Sequence, residues 1–152
     1  MYKPKYFTLD ELTRSATADR HGIRNVPGPI ERNNLLELIE HVLDPLRLMW
    51  GKPIRVNSGY RCRQLNSHPD IGGSASSSHI TGQAADITVG GRDENMRLYQ
   101  MIKGSDIPFH KAIFEQNRRG SFWIHISYRQ QDPARLCYIY LLDDKTYRKD
   151  RT

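Results

Sequence analysis

The ten residues 77–86 constrain this chain more than any others, because they set His79 and Asp86 seven positions apart with Gly82, Ala84 and Ala85 between them. A histidine and a carboxylate can meet across so short a span only if the backbone folds back without bulky side chains in the way, and glycine allows such a reversal. Zinc accepts imidazole nitrogen and carboxylate oxygen together, and a catalytic zinc takes three protein ligands and keeps a fourth position open. The segment therefore reads as half of a metal site or, on these residues alone, as a histidine paired with a carboxylate across a turn. A third donor is available in the run Trp123, Ile124, His125, Ile126, Ser127. Its apolar alternation reads as a strand, an element stiff enough to aim a ligand. Taken singly, His125 would be a packed strand histidine.

The rest of the chain supplies a scaffold. Thr8 with Glu11 three residues later predicts a capping box and a short helix, ending before the glycine and prolines of 21–29. Residues 30–50 place Leu35, Leu36, Ile39, Val42, Leu43, Leu46 and Met49 on one broad helical face, which makes this the main core helix. Pro45 removes a backbone donor there and should bend or locally open the helix, and Gly51 can close it. Strands are expected at 54–57, 84–89, 111–116 and 122–128, a brief helical turn at 60–66, and a helix over 93–103 closed by Gly104. Residues 67–78 are a loop without core-forming residues, either a flexible rim leading into His79 or a plain surface insertion. The apolar run 136–142 reads as an edge or hairpin strand.

With 152 residues, 38% hydrophobic and 26% charged, the chain is expected to form one domain spanning 1–152. No apolar run approaches the roughly 18 residues of a membrane span. The basic N-terminal residues are followed by no apolar stretch, so no secretory signal is expected. A net charge of +6 suits any polyanion, but the basic residues are scattered and form no basic helix or aromatic ribonucleoprotein-type motif; a solvated surface is expected, not a nucleic-acid groove. Cys62 and Cys137 read as free thiols. His21, His41, His68 and His110 have no partner at metal-ligand spacing, and His41 falls on the polar side of the long helix.

The serine before His79, together with His79, Gly82, Ala84 and Asp86, resembles the S-x-H-x-x-G-x-A-x-D pattern of the M15 zinc peptidases, the D-Ala-D-Ala carboxypeptidases with their phage endolysin and dipeptidase relatives. The Trp-x-His-x-Ser around His125 is similar to the segment bearing their last zinc ligand. Residues 7–12, 15–18, 25–27, 42–47 and Ser58, Gly59, Tyr60, Arg61 also look like the small single-domain branch of that family. The resemblance implies an α+β fold, a small antiparallel sheet with helices on one side, shared with the hedgehog signalling domain. It implies Zn2+ held by His79, Asp86 and His125, and hydrolysis of an amide bond in peptidoglycan stem peptides.

A zinc hydrolase also needs a base to take a proton from the attacking water and hand it to the leaving amine. Many M15 members carry an acidic residue three places before the last histidine, where this chain has Phe122. Glu115 is the replacement, similar to the glutamate on the preceding strand in the small branch. Strand parity tests it: a five-residue turn at 117–121 pairs Glu115 with Trp123 and Ile113 with His125, putting Glu115 and His125 on one face, whereas a four-residue turn would separate them. Arg61 matches an arginine that faces substrate in the family, where a guanidinium can grip a carboxylate or an oxyanion. The expected protein is a monomeric enzyme, cytoplasmic until released, acting on the cell wall and of phage or prophage type. The alternative is a non-catalytic zinc-containing module that binds wall peptides or a protein partner.

Overall fold

The computed structural model describes residues 2–150. In chain order the elements are α1 (Leu9–Thr13), α2 (Ala16–Arg20), α3 (Pro29–Leu38), a π-helical turn (Ile39–Leu43), α4 (Asp44–Trp50), β1 (Arg55–Ser58), α5 (Arg63–Ser67), β2 (Ala84–Thr88), α6 (Arg92–Gly104), β3 (Lys111–Gln116), β4 (Phe122–Ser127), β5 (Leu136–Leu141), a 3-10 turn (Leu142–Asp144) and β6 (Thr146–Lys149). Thr8 caps α1 as expected, its hydroxyl accepting from the Glu11 N–H at 3.1 Å. The segment before residue 21 forms two short helices instead of one, because Ser15 starts a second cap, accepting from the Ala18 N–H.

The long core helix opens just ahead of Pro45. There the Asp44 N–H reaches the carbonyl of Ile39, five residues back, a wider turn that accommodates the donor missing at the proline. Gly51 ends the helix in the left-handed region at φ 76°. Asp44 is 4% exposed, and its carboxylate accepts from the Tyr2 hydroxyl and from the backbone N–H groups of Lys5 and Tyr6. These bonds fasten the N-terminal segment to the helix and satisfy a charge that would be costly to bury alone.

Six strands form one sheet in the order β1-β2-β4-β3-β5-β6. The four strands β1 to β4 are antiparallel neighbours, and β6 is antiparallel to β5, but β5 runs parallel to β3. The sheet is therefore mixed but mostly antiparallel, within the α+β class expected, with one parallel pair that the sequence did not announce. The cause is topological. β4 ends where β3 begins, Ser127 opposite Lys111, and the chain crosses that end so that β5 starts there too, Leu136 opposite Lys111. The run expected as an edge or hairpin strand is a hairpin strand: β5 turns through residues 142–145 into β6, which takes the edge, so β5 itself is internal.

One face of this sheet carries Ala85, Ile87, Ala112, Phe114, Ile124, Ile126 and Cys137, packed in a single core with Leu35, Leu38, Leu46, Leu98, Tyr99 and Ile102 of the helices. Helices α3, α4 and α6 pack on that face, as expected, while α2 and α5 bury Ala18 and Leu65 in a small separate cluster. Both cysteines are free. No described helix is long and apolar enough to cross a membrane. The turn after His79 is pressed against α3: Gly82 has φ +73°, and a Cβ there would lie 2.5 Å from the Glu31 carbonyl oxygen. Gly82→Ala should therefore cost about 2 kcal/mol or more from backbone strain and overpacking. Gly104→Ala, with nothing within 4 Å of its added methyl group, should be near neutral. Urea denaturation midpoints of the two variants measure the contrast.

Candidate metal centre and active site

The face of the sheet away from the core carries the chemistry. β-pairing aligns Ser58, Asp86, His125, Ile113 and Tyr138 in one row across five strands, and Trp123, Glu115, Tyr140 and Tyr147 in the next. The five-residue turn at 117–121 closes with Asn117 N–H bonded to the Ser121 carbonyl at 3.0 Å. Glu115 accordingly pairs with Trp123 and Ile113 with His125, which places Glu115 and His125 on one face as parity required.

His79 enters from the turn before β2. It is 2% exposed, and its Nδ1 lies 2.7 Å from the Gly59 carbonyl oxygen. A carbonyl only accepts, so Nδ1 carries the hydrogen and Nε2 is the free nitrogen. That Nε2 lies 3.3 Å from Asp86 Oδ1, and His125 Nδ1 lies 3.1 Å from the same oxygen. An unprotonated ring nitrogen turned toward a carboxylate oxygen sets lone pair against lone pair, so the arrangement calls for positive charge between them, either a proton or a cation. Two nitrogens and one oxygen within 4.8 Å of one another, with one imidazole oriented by a backbone carbonyl, fit zinc in donor type and number. Burial opposes the charge on Asp86, but His79 and His125 outweigh it and hold the carboxyl well below the ordinary range.

These three residues form the floor of a cavity of about 620 Å³ whose walls include Arg61, Lys111, Glu115, Trp123, Arg129 and Tyr140. Its rim comes from Gly72, Ser74 and Ser76, so the loop at 67–78 borders the site. Burial first, and then the charge of Asp86, push the Glu115 carboxyl up to about 7; His125, the Trp123 indole and Arg61 pull the other way. The Trp123 indole N–H donates to Glu115 Oε2. Arg61 is held by Asn66 Oδ1 at 3.2 Å and Ser58 Oγ at 3.3 Å, and among the described residues no carboxylate lies within ion-pair distance of it. The structure thus brings together all five residues expected from the sequence.

It also adds Trp123, Lys111, Arg129, Tyr140 and Tyr147 to the cavity. Trp123 was findable by parity from His125, whereas the tyrosines require knowing that β5 lies beside β3. The expectation that the other histidines lack metal-ligand partners fails. His21 and His68 do meet a carboxylate, that of Asp70, and His41 lies 3.2 Å from Glu37 Oε2 and 3.6 Å from Glu40 Oε2. The first is a contact between distant segments, which spacing cannot show. His110 is buried, with Nδ1 3.1 Å from the Asp132 carbonyl oxygen and 3.3 Å from Asp132 Oδ2.

A family model described as Peptidase M15 matches residues 5–127. The chain belongs to the M15 peptidase family, a family of zinc-dependent metallopeptidases. No curated protein matches it.

Glu115 allows a test of the site's cost. Because its folded pKa lies above the ordinary 4.5, folding favours the protonated form. The metal-free protein should lose stability as pH rises from about 4.5 through about 7. Metal-stripped Glu115→Gln should then exceed wild type in stability by up to about 3 kcal/mol at about pH 8, the gap closing toward about pH 4. Chemical denaturation at the two pH values reads the difference.

Proposed function

We propose that this chain is a zinc peptidase that hydrolyses an amide bond in peptidoglycan stem peptides, with His79, Asp86 and His125 as the zinc ligands, Glu115 as base and then acid, and Arg61 as a substrate-binding group. The observation that carries the reading is the Asp86 carboxylate facing two imidazole nitrogens at 3.3 and 3.1 Å, in a cavity shared with Glu115 and Arg61. When bound, zinc supplies Lewis acidity, polarising a carbonyl and acidifying water.

The chain's own residues supply the remaining functions. Glu115, with its carboxyl pushed up to about 7, is matched to taking a proton from water and returning it to a leaving amine near neutral pH. The Trp123 indole fixes one carboxylate oxygen, leaving Oε1 without a protein partner among the described residues to face the reacting atoms. The guanidinium of Arg61, oriented by Asn66 and Ser58, is placed to grip an oxyanion or a peptide carboxylate. Lys111 and Arg129 add positive charge to the same walls, which suits the carboxylates of a stem peptide. Action on the cell wall, as in an endolysin released at lysis, belongs to this proposal.

The alternative of a zinc-containing binding module leaves Glu115 without a task, since it is held near the metal donors yet outside their set. Purified protein should retain about one tightly held zinc, as a three-ligand centre implies, and His79→Ala and His125→Ala should each lose it by metal analysis. Full retention in both would refute the ligand assignment. Mass spectrometry of digested muropeptides identifies the bond cut. In that assay Glu115→Gln should lower the rate by roughly 10²–10⁴-fold with zinc content unchanged; an unaltered rate would exclude Glu115 as the base.

A further inference from the structure

A second group of metal-type donors sits at the outer end of the cavity rim, apart from the residues of the proposed zinc centre. His21 caps the end of α2, His68 caps the end of α5, and Asp70 lies in the turn that follows. One ligand atom from each lies within 4.8 Å of the others. His21 Nε2 is 2.7 Å and His68 Nδ1 is 3.9 Å from Asp70 Oδ2. We propose that His21, His68 and Asp70 form a second, weaker site for a divalent transition-metal ion of zinc's chemistry, which pins the 67–78 rim of the cavity to α2.

The chemistry of the three groups supports this. The two imidazole rings lie 4.1 Å apart, tilted by 32°, and the donor spacing lets one ion reach both rings and the Asp70 carboxylate together. The His68 Nδ1 accepts the Asp70 backbone N–H at 3.1 Å, so this nitrogen carries its lone pair toward the Asp70 turn, and an ion would take that lone pair over from the hydrogen bond. Two imidazoles and a carboxylate are the donor set found at His79, Asp86 and His125. Two features make the second site weaker. Its donors are solvent-accessible, and Arg20, 3.8 Å from the same Asp70 oxygen, competes for the carboxylate. The Arg20 side chain is 61% exposed and free to swing away.

The site is placed to act on the cavity. The N–H groups of Ile71 and Gly72 bond to the His68 carbonyl at 2.9 and 2.8 Å, and that of Gly73 bonds to the Asn66 carbonyl. The Asn66 side chain, in turn, donates to the Ser74 carbonyl and accepts from Arg61. An ion joining His68 and Asp70 to His21 would therefore hold the start of the rim and, through Asn66, the support of Arg61. Like the first centre, this one takes imidazole and carboxylate donors, but it does not depend on any catalytic role.

Calorimetric titration of chelator-stripped protein with zinc chloride tests the proposal. Wild type should take up about two zinc ions per chain, one tightly and one weakly, as two three-donor sites imply. His21→Ala and His68→Ala should each lose the weak uptake and keep the tight one, with thermal unfolding close to wild type for His21→Ala, whose side chain is 37% exposed, and lowered modestly for the half-buried His68. His125→Ala should keep the weak uptake, so the result stands or falls apart from the peptidase reading. Hydrogen exchange at residues 68–73 should slow as the weak site fills. Uptake that stops at one ion, or a weak ion that persists in both His21→Ala and His68→Ala, would show that the cluster is an ion pair and nothing more; unchanged exchange on filling would overturn the pinning of the rim.

Discussion

One carboxylate oxygen, Oδ1 of Asp86, faces ring nitrogens of both His79 and His125 at little more than 3 Å, and much of the fold serves to keep it there. The pairing of β2 with β4 sets Asp86 opposite His125. His79 is fixed from three directions: its ring by the Gly59 carbonyl, its own carbonyl by the Arg61 N–H, and its turn by the contact of Gly82 with α3. Gly59 cannot carry a side chain, since a Cβ there would strike the carbonyl of Leu12 at the end of α1. The first helix, the loop after β1, the long helix and two strands thus converge on one histidine, and a site built this way holds its donors without waiting for substrate to order them.

The sheet divides the work between its faces. The apolar face, with Ile87, Phe114, Ile124 and Ile126 fully buried, is where helix packing stabilises the fold. The opposite face collects groups whose burial opposes stability: a carboxylate held ionised between two imidazoles, a second carboxyl pushed toward neutrality, and a guanidinium whose pKa burial lowers. Period-two alternation makes the division possible, since each strand sends successive side chains to opposite sides. A strand such as β4 can therefore place Ile124 and Ile126 in the core while His125 between them points at the site.

How much of this was legible depended on the range of the contact. The capped helix at Thr8, the opening of the long helix before Pro45 and the turn at 117–121 are local consequences of residue type and spacing and were readable, whereas the shared face of Glu115 and His125 hung on the length of that turn, which the strand register decides. Two kinds of feature were not readable. The apolar run marks residues 136–142 as a strand but carries no information about which neighbours it joins or in which direction, because that depends on where β4 ends. Likewise the meeting of His21 with His68 and Asp70 joins segments almost fifty residues apart in the chain, and nothing near either segment announces the other.

The position of the C-terminal hairpin bears directly on the chemistry. Because β5 lies parallel beside β3, Tyr140 stands next to Glu115 in the row that begins with Trp123 and continues to Tyr147. Tyr140 and Tyr147 stack with ring centroids 4.1 Å apart. Glu115 is thereby set between an indole and a pair of stacked phenol rings, surroundings that take water away from a carboxylate and return only one hydrogen bond, from Trp123. Desolvation is the leading cause of its raised pKa, and desolvation by aromatic neighbours is a direct route to a carboxyl that exchanges protons near neutrality. Residues 136–149 lie beyond the stretch matched by the family. They contribute no donor to the proposed zinc centre, yet they supply the environment in which the proposed base would work.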